Sequence, residues 1–251
     1  MRDVFPLPSQ LLSALEPICA RAEVYRNSRL CPPPLLLWAE EGDALRTGLL
    51  EGIAQRYGDA GLIQAPGYIQ SIRLDGSWES LFAAHQALLD ASPYTDDFPF
   101  LVGVQLDTGL CIRQELPSGK AGLAFLRELT QRTAVILFAP SGQGGASRVL
   151  ARALPGLLEL RLDPCSHREL LEMACAHIRR QGVRLAEEGA FRQRLLELLK
   201  GGEITSPQAM LLLLDIVLQK AAVVQGSVQV DAAALETVFP TGGGGRKIHD
   251  P

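Results

Sequence analysis

Long apolar runs are missing from this sequence. No stretch of the 251 residues approaches the roughly 20 apolar residues that a membrane-spanning helix needs. The richest stretch, residues 209–218, is interrupted by Asp215. The first residues include Asp3 and Pro6, where a secretory signal would keep an uninterrupted apolar segment. We therefore expect a cytoplasmic protein that does not bind membranes.

An excess of positive charge is also missing. The chain has 24 Lys and Arg against 28 Asp and Glu, which gives a formal net charge of −4 at pH 7. A strong grip on nucleic acid needs clustered cations that neutralise phosphates, so a nucleic-acid partner is disfavoured. The one local cluster, Arg179 and Arg180 with Arg184, is interpreted as a solvated helix end that the helix dipole favours. A partner-binding patch is the alternative for this cluster.

The five cysteines are an odd number and none are spaced C-x-x-C, so we expect reduced thiols and no disulfide framework. Two C-x-H pairs do recur ten residues apart, Cys165 with His167 and Cys175 with His177. Both pairs fall on one predicted helix, where ten residues span about 15 Å. Zinc ligands must lie about 2.0–2.3 Å from the ion, so the sequence predicts no metal site.

Strands and helices alternate through the first two thirds of the chain. The predicted strands are residues 35–38, 68–74, 98–106, 134–139 and 157–162. The helices predicted around and between them are residues 11–24, a helix carrying Leu49 to Tyr57 after a polar loop at 39–46, residues 78–89, residues 119–132 and a short helix near Arg148. Such spacing predicts parallel crossovers and a three-layer α/β fold, in which ligands bind beyond the carboxyl ends of the strands.

The pattern changes near residue 164. Helices are predicted at 166–180, 185–199 and 207–224, followed by a short extended piece at 228–231 and a last helix at 232–239. The helix at 207–224 is apolar almost all round, which predicts a position at the centre of a bundle. We therefore expect an α/β core at residues 1–164 and a small all-helical domain at 165–240. The tail at 241–251, with four consecutive glycines, is predicted to be disordered.

This order of elements resembles the AAA+ ATPase superfamily, which has the P-loop NTPase fold. The resemblance covers residues 8–240 and depends on four segments: 32–38 before the first loop, 160–164 leading into 166–171, 204–208 opening a long helix, and 228–232. It implies a five-stranded parallel core followed by a helical lid that closes over a nucleotide. It also implies a nucleotide pocket at the carboxyl ends of the strands.

The phosphate-loop motif of that family, G-x-x-x-x-G-K-S/T, is largely lost. Backbone amides of this loop cradle phosphates and its lysine reaches the β and γ groups. The stretch at 39–47 retains one glycine, Gly42, and has three carboxylates where phosphate would lie: Glu40, Glu41 and Asp43. Arg46 and Thr47 would replace the Lys-Thr pair only in a loop one residue longer, and the planar guanidinium is a poor substitute for a compact ammonium.

The second and third motifs depart as well. The resemblance implies Asp-Glu after the third strand, for magnesium and the attacking water. The strand instead ends in Asp107 followed by Thr108. A polar sensor, usually Asn, is implied after the fourth strand, where the sequence has only Ser141. Without a G-x-S-x-G pattern, Ser141 is interpreted as a loop residue and not as a nucleophile.

The two arginines that the family places around the nucleotide are also absent from their positions. Arg148 and Arg152 are distant substitutes for the arginine finger, and Gln208 or Met210 stands at the lid arginine. The vestigial pocket is therefore predicted at these positions: Gly42, Asp43, Arg46, Thr47, Asp107, Ser141 and Gln208. We expect no catalytic residues, no resident cofactor and no metal ligands.

The joint departures favour a non-catalytic AAA+-like protein that binds other proteins. It would act as a scaffold or as an inactive regulatory subunit, with an active AAA+ subunit or a second copy as partner. The alternative is a nucleotide-binding AAA+ ATPase with an unusual loop, in which Arg46, Thr47 and Asp107 contact ATP or ADP and magnesium. A DNA-associated module of the clamp-loader or initiator kind is disfavoured by the acidic charge balance.

One histidine needs a separate interpretation. His85 shares a helical face with four apolar residues, Trp78, Leu81, Phe82 and Leu89. A histidine on such a face is more often buried in the core than used as a general base, so we expect His85 in the core.

Overall fold

The computed structural model describes residues 5–39, 43–64, 66–91, 100–140, 144–162, 165–202, 204, 206–219, 222–224 and 227–238. The helices are α1 (Ser9–Ala20), α2 (Ala22–Ser28), α3 (Asp43–Asp59), α4 (Trp78–Ala91), α5 (Thr108–Ile112), α6 (Pro117–Arg132), α7 (Gly144–Ala153), α8 (His167–Arg180), α9 (Glu188–Lys200), α10 (Pro207–Leu218) and α11 (Ala232–Val238). The strands are β1 (Leu35–Ala39), β2 (Ile69–Leu74), β3 (Leu101–Leu106), β4 (Ala134–Pro140), β5 (Leu158–Arg161), β6 (Arg184–Leu185), β7 (Ala222–Val224) and β8 (Ser227–Val230). None of these described helices is long and apolar enough to cross a membrane.

A five-stranded parallel sheet in the order β2-β3-β4-β1-β5 forms the centre of the first part of the chain. β1 lies between β4 and β5, with Leu35 opposite Ile136 on one side and Leu158 on the other. Continuous apolar runs form the central strands because both of their faces are covered, as in other parallel sheets. The predicted α/β class and five-stranded parallel sheet are confirmed.

Contacts between residues divide the chain into two compact units. Within the described residues, the α/β unit contains 9–39 and 50–162, and the C-terminal unit contains 5–8, 43–49 and those from 165 onward. In the α/β unit, one apolar core joins a face of the sheet to α4, α6 and α7. Its sheet residues include Leu36, Trp38, Val102, Val104 and Leu137, and its helix residues include Leu81, Leu126 and Leu150.

The C-terminal unit differs from the prediction because it is not all helical. β6 pairs with β8 in parallel, and β7 pairs with β8 in the antiparallel direction, which gives a three-stranded sheet. The predicted helices at 185–199 and 207–224 are therefore shorter, since their outer residues belong to β6 and β7. β6 and β7 have two and three residues, too few to show an alternation, and the apolar residues of β7 continue the pattern of α10.

Two serines fix where helices of the C-terminal unit begin. Ser166 caps α8 in a capping box, in which its Oγ accepts from the Glu169 N–H at 3.3 Å and the Glu169 carboxylate accepts from the Ser166 N–H at 2.9 Å. Ser206 caps α10 by accepting from the Ala209 N–H at 3.1 Å, and Pro207 occupies the first turn. Both helices begin close to the residues at which the sequence placed them.

Ion pairs connect α8 to α9. Arg192 donates to Glu172 and to Glu188, each at 2.8 Å, and Arg179 donates to Glu188 at 2.7 Å. Hydrogen bonds from Arg192 hold the pKa of both carboxyls below its ordinary value. In the basic cluster, the exposed Arg179 is ion-paired and the Arg180 guanidinium lies 5.8 Å from the centre of the Phe5 ring, so the cluster contributes local contacts as well as charge.

The helix α10 is less enclosed than its composition predicted. One side is buried in the C-terminal unit, with Met210, Leu213, Leu214 and Val217 almost fully covered. Leu212 and Ile216, four residues apart, are 47% and 43% exposed. The helix therefore lies at the surface of its unit and not at the centre of a bundle.

Candidate functional site

The carboxyl ends of the five parallel strands form the edge at which ligands of such folds bind. The structure places the predicted pocket residues as follows. Gly42 and Ser141 lie outside the described residues, Asp43 is the first residue of α3, Arg46 and Thr47 follow in the same helix, Asp107 precedes α5, and Gln208 lies in the first turn of α10. Of the pocket residues that the structure describes, Asp107 alone belongs to the α/β unit, since the other four group with the C-terminal unit.

The link between β1 and α3 is short. β1 ends at Ala39 and α3 begins at Asp43, so residues 40–42 alone connect them. The predicted polar loop at 39–46 is therefore wrong in length, because the helix starts within it. A phosphate-binding loop places G-x-x-x-x-G, six residues, ahead of its lysine. Six residues, 40–45, also separate β1 from Arg46, but the last three of them already belong to α3.

Asp107 is the polar residue at the carboxyl end of β3, and both of its carboxylate oxygens accept hydrogen bonds. Oδ1 accepts from the Gly109 N–H at 3.1 Å and so caps α5. Oδ2 accepts from Nη2 of Arg73 at 2.7 Å, in an ion pair between the ends of β2 and β3. The Asp107 side chain therefore has a structural role within the α/β unit.

Arg73, the ion-pair partner of Asp107, was not predicted from the sequence. In the β2–β3 register Arg73 lies opposite Gln105, and Asp107 comes two residues later. Residues two apart on a strand point to the same face, so the cation and the acid become diagonal neighbours. The sequence shows that Arg73 alternates with Ile72 and Leu74, which are buried. It does not show the β2–β3 register, which brings Arg73 next to Asp107.

The turn between β2 and α4 packs directly on α5. Ser77 caps α4 by accepting from the Ser80 N–H at 3.1 Å, and Asp75 Oδ1 accepts from the Ser77 N–H at 2.8 Å. Gly76 has φ +80°, and a Cβ there would lie 2.8 Å from Leu110 Cα. A Cβ on Gly109 would lie 2.4 Å from the Asp75 carbonyl oxygen. Two backbones therefore touch at the place where Asp107 is held.

Hydrogen bonds from Ser77 and then Ser80 lower the pKa of Asp75 to about 2, from an ordinary value of 3.8. Folding therefore favours the charged form of Asp75. The contribution of this carboxylate to the free energy of unfolding is fully present above about pH 4 and is lost as the pH falls towards 2. We expect Asp75→Asn to be less stable than the parent near neutral pH and the difference to shrink between these two values. Urea unfolding at several pH values measures this, with the exposed Glu79→Gln as control. A difference that stays constant across the range would contradict the assignment.

A second polar cluster ties β1 to β5 and α7. The buried Trp38 donates from Nε1 to Glu159 Oε1 at 2.7 Å, and the Ser147 hydroxyl donates to Glu159 Oε2. The Arg161 guanidinium lies 5.7 Å from the centre of the Trp38 ring, because Trp38 and Arg161 are opposite each other in the register. Both oxygens of Glu159 accept hydrogen bonds, so this cluster orders the edge of the sheet.

The histidines and cysteines form no metal site in the part of the chain that the structure describes. No group of three or more potential ligands meets there. Cys175 is buried and Cys165 is partly buried, and neither forms a disulfide bond. The buried His177 instead pairs through Nε2 with Asp215 Oδ1 at 2.8 Å, which joins α8 to α10.

The prediction that His85 lies in the core is wrong. His85 is exposed, and its ring meets the edge of Phe125 with centroids 4.5 Å apart. Helix α4 turns a different side, with Leu81 and Ala84, to the core of the α/β unit. It has apolar residues on both sides, so periodicity alone did not distinguish the inner face from the outer one.

The sequence matches no protein-family model and no curated protein. Several solved structures are similar to this chain in their fold. Domain III of the Thermotoga maritima replication initiation protein DnaA has a TM-score of 0.55 and 14% identity, over 94% of this chain and 95% of that one. A variant of Thermotoga maritima RuvB has a TM-score of 0.52 and 14% identity, over 93% of this chain and 69% of that one. At such identity the likeness is one of fold: the chain has the fold of the AAA+ P-loop ATPases.

Proposed function

We propose that this protein uses the AAA+ fold to bind other proteins, as a scaffold or an inactive regulatory subunit, and does not hydrolyse ATP. The observation that carries the proposal is the state of Asp107, whose carboxylate is bound by Arg73 and caps α5. We retain the predicted division into a core at 1–164 and a lid at 165–240 as part of this proposal.

Electrostatics support this assignment. Mg²⁺ demands oxygen ligands at about 2.0–2.1 Å in octahedral geometry. An ion at Asp107 would have to displace the Arg73 guanidinium, 2.7 Å from Oδ2, or bind beside a positive charge. Together with the short link between β1 and α3, this disfavours Mg-nucleotide binding at the edge of the sheet.

We expect no change in thermal unfolding when millimolar Mg-ATP or Mg-ADP is added, with Mg²⁺ alone as control. A nucleotide at about 100 times its dissociation constant would stabilise the native state by about 2.7 kcal/mol, a rise of a few degrees in Tm for a chain of this size. Differential scanning fluorimetry followed by a phosphate-release assay measures both properties. A magnesium-dependent rise in Tm accompanied by ATP hydrolysis would end the proposal.

A nucleotide-binding ATPase with an unusual loop is the second candidate. It is favoured by the position of Arg46 and Thr47 near the N-terminus of α3, because backbone N–H groups and the dipole at a helix N-terminus attract phosphate. The discriminating variants are Arg46→Ala and Thr47→Ala, with Arg56→Ala in the last turn of α3 as the matched control. Under this candidate the first two weaken nucleotide binding and the control does not. Under our proposal all three behave as the parent.

A further inference from the structure

Helix α4 has an outer apolar face that the α/β unit does not cover. The residues of this face, which we name the α4 stripe, are Trp78, Phe82, His85 and Leu89. Trp78 is 48% exposed, Phe82 67% and Leu89 65%. The opposite side of the helix is packed into the core through Leu81 and Ala84. The helix is therefore already anchored through its opposite side.

The spacing of the α4 stripe predicts what kind of element it fits. Its residues follow one another at intervals of four, three and four, which is the a/d spacing of a coiled-coil seam. The α4 stripe extends over three helical turns, a length of about 16 Å. Side chains of another α-helix can pack between the side chains of such a seam. A strand, with its period of two, has no matching arrangement.

Ring contacts hold the α4 stripe in a fixed form. The Trp78 and Phe82 rings stack with centroids 6.3 Å apart and an angle of 30° between their planes. The His85 ring is held against Phe125 of α6, which is itself packed in the core. Aromatic side chains fixed in this way lose little freedom on binding, which is why they are frequent in the centres of protein interfaces.

Charge selects the occupant. The helix carries Glu79 and Asp90 and no Lys or Arg. If two copies of α4 paired in an antiparallel way, Glu79 of one would lie near Asp90 of the other. In a parallel pair each acid would lie near its own counterpart. Both arrangements bring like charges together, whereas a helix with Lys or Arg beside its apolar residues would be attracted.

We propose that the α4 stripe is a docking surface for a basic amphipathic α-helix of a partner protein. This inference rests on the proposed function, in which the chain acts by binding proteins, and it specifies the surface and the chemistry of the partner. The partner helix has apolar residues at alternating intervals of three and four, with Lys or Arg beside them.

The test uses a designed helical peptide of three heptads, about 21 residues, with Leu at positions a and d and Lys at e and g. The full chain is titrated with this peptide and with a matched peptide carrying Glu in place of Lys. Of the two tryptophans, Trp38 is buried and Trp78 lies in the α4 stripe, so docking shifts the Trp78 emission to shorter wavelength. We expect the Lys peptide to bind and Phe82→Glu to weaken it by about tenfold or more.

Val24→Glu, at an exposed apolar residue of α2, is the matched control and is expected to bind the Lys peptide as the parent does. The proposal is overturned if the Lys peptide does not bind, if the Glu peptide binds equally well, or if Val24→Glu loses as much affinity as Phe82→Glu. A dimer in light scattering that Phe82→Glu dissociates would assign the α4 stripe to a second copy and also overturns it. A fall of several degrees in the Tm of Phe82→Glu would show that the chain itself covers the α4 stripe, and the proposal would then be abandoned as well.

The phosphate-release assay keeps the two proposals apart. Hydrolysis of ATP by the chain defeats the proposed function whatever the peptides do. If the protein neither binds nor hydrolyses nucleotide and the Lys peptide also does not bind, only the assignment of the α4 stripe is defeated.

Discussion

Alanine in place of Gly109 is expected to lower the free energy of unfolding by about 2–3 kcal/mol. Its Cβ would lie 2.4 Å from the carbonyl oxygen of Asp75, which belongs to the backbone and cannot rotate away as a side chain would. The same displacement would pull the Gly109 N–H from Asp107 and weaken the cap of α5. Urea unfolding followed by circular dichroism measures the change.

Gly67→Ala is the matched control, because a Cβ at Gly67 would meet nothing within 4 Å. Its effect on the free energy of unfolding is expected to stay within about 0.5 kcal/mol. Equal destabilisation by the two substitutions would mean that loss of glycine, and not the contact with Asp75, determines the result. The proposed backbone contact between α5 and the β2–α4 turn would then be refuted.

Trp38→Ala is expected to lower the free energy of unfolding by about 3–5 kcal/mol. The substitution removes a side chain that is only 3% exposed, and it leaves Glu159 without the indole donor and Arg161 without the ring. Because the site lies between β4 and β5, the neighbouring strands cannot close the cavity without moving the sheet.

The second tryptophan supplies the comparison. Trp78→Ala removes the same atoms from a side chain that is 48% exposed, so we expect a loss of about 1 kcal/mol or less. Each variant keeps one tryptophan, and circular dichroism in urea follows both without depending on fluorescence. Losses of similar size would contradict the different burial of the two residues. A large loss in Trp78→Ala alone would also count against a free α4 stripe.

The central sheet was predictable because its signal is local. Strands buried on both faces must be continuous apolar runs, and all five were located to within three residues at each end. The order of those strands is not local, and it was not predicted from the sequence. The starts of α8 and α10 were predicted to within one residue, although the serine caps that fix them were not identified from the sequence.

What the sequence concealed depends on pairs that lie far apart in the chain. Arg73 and Asp107 meet only once the β2–β3 register is known, and Trp38 meets Glu159 only once β1 and β5 are neighbours. The face of α4 that carries His85 looked like a core face because composition cannot tell an inner apolar face from an outer one. For Gly42 and Ser141, which lie outside the described residues, the predicted role in a pocket stays a prediction.

The position of β1 in the sheet also sets an order of events during synthesis. β1 is the first of the five strands to leave the ribosome. Leu35 pairs with Ile136 of β4 and with Leu158 of β5, and both of these residues are made much later. β2 and β3 lie close together in the chain and can pair before the centre of the sheet exists. At roughly 5–20 residues per second, the apolar β1 waits on the order of 5–25 seconds for β5 to be made. During that time Leu35, Leu36 and Leu37 are accessible to chaperones and to other nascent chains.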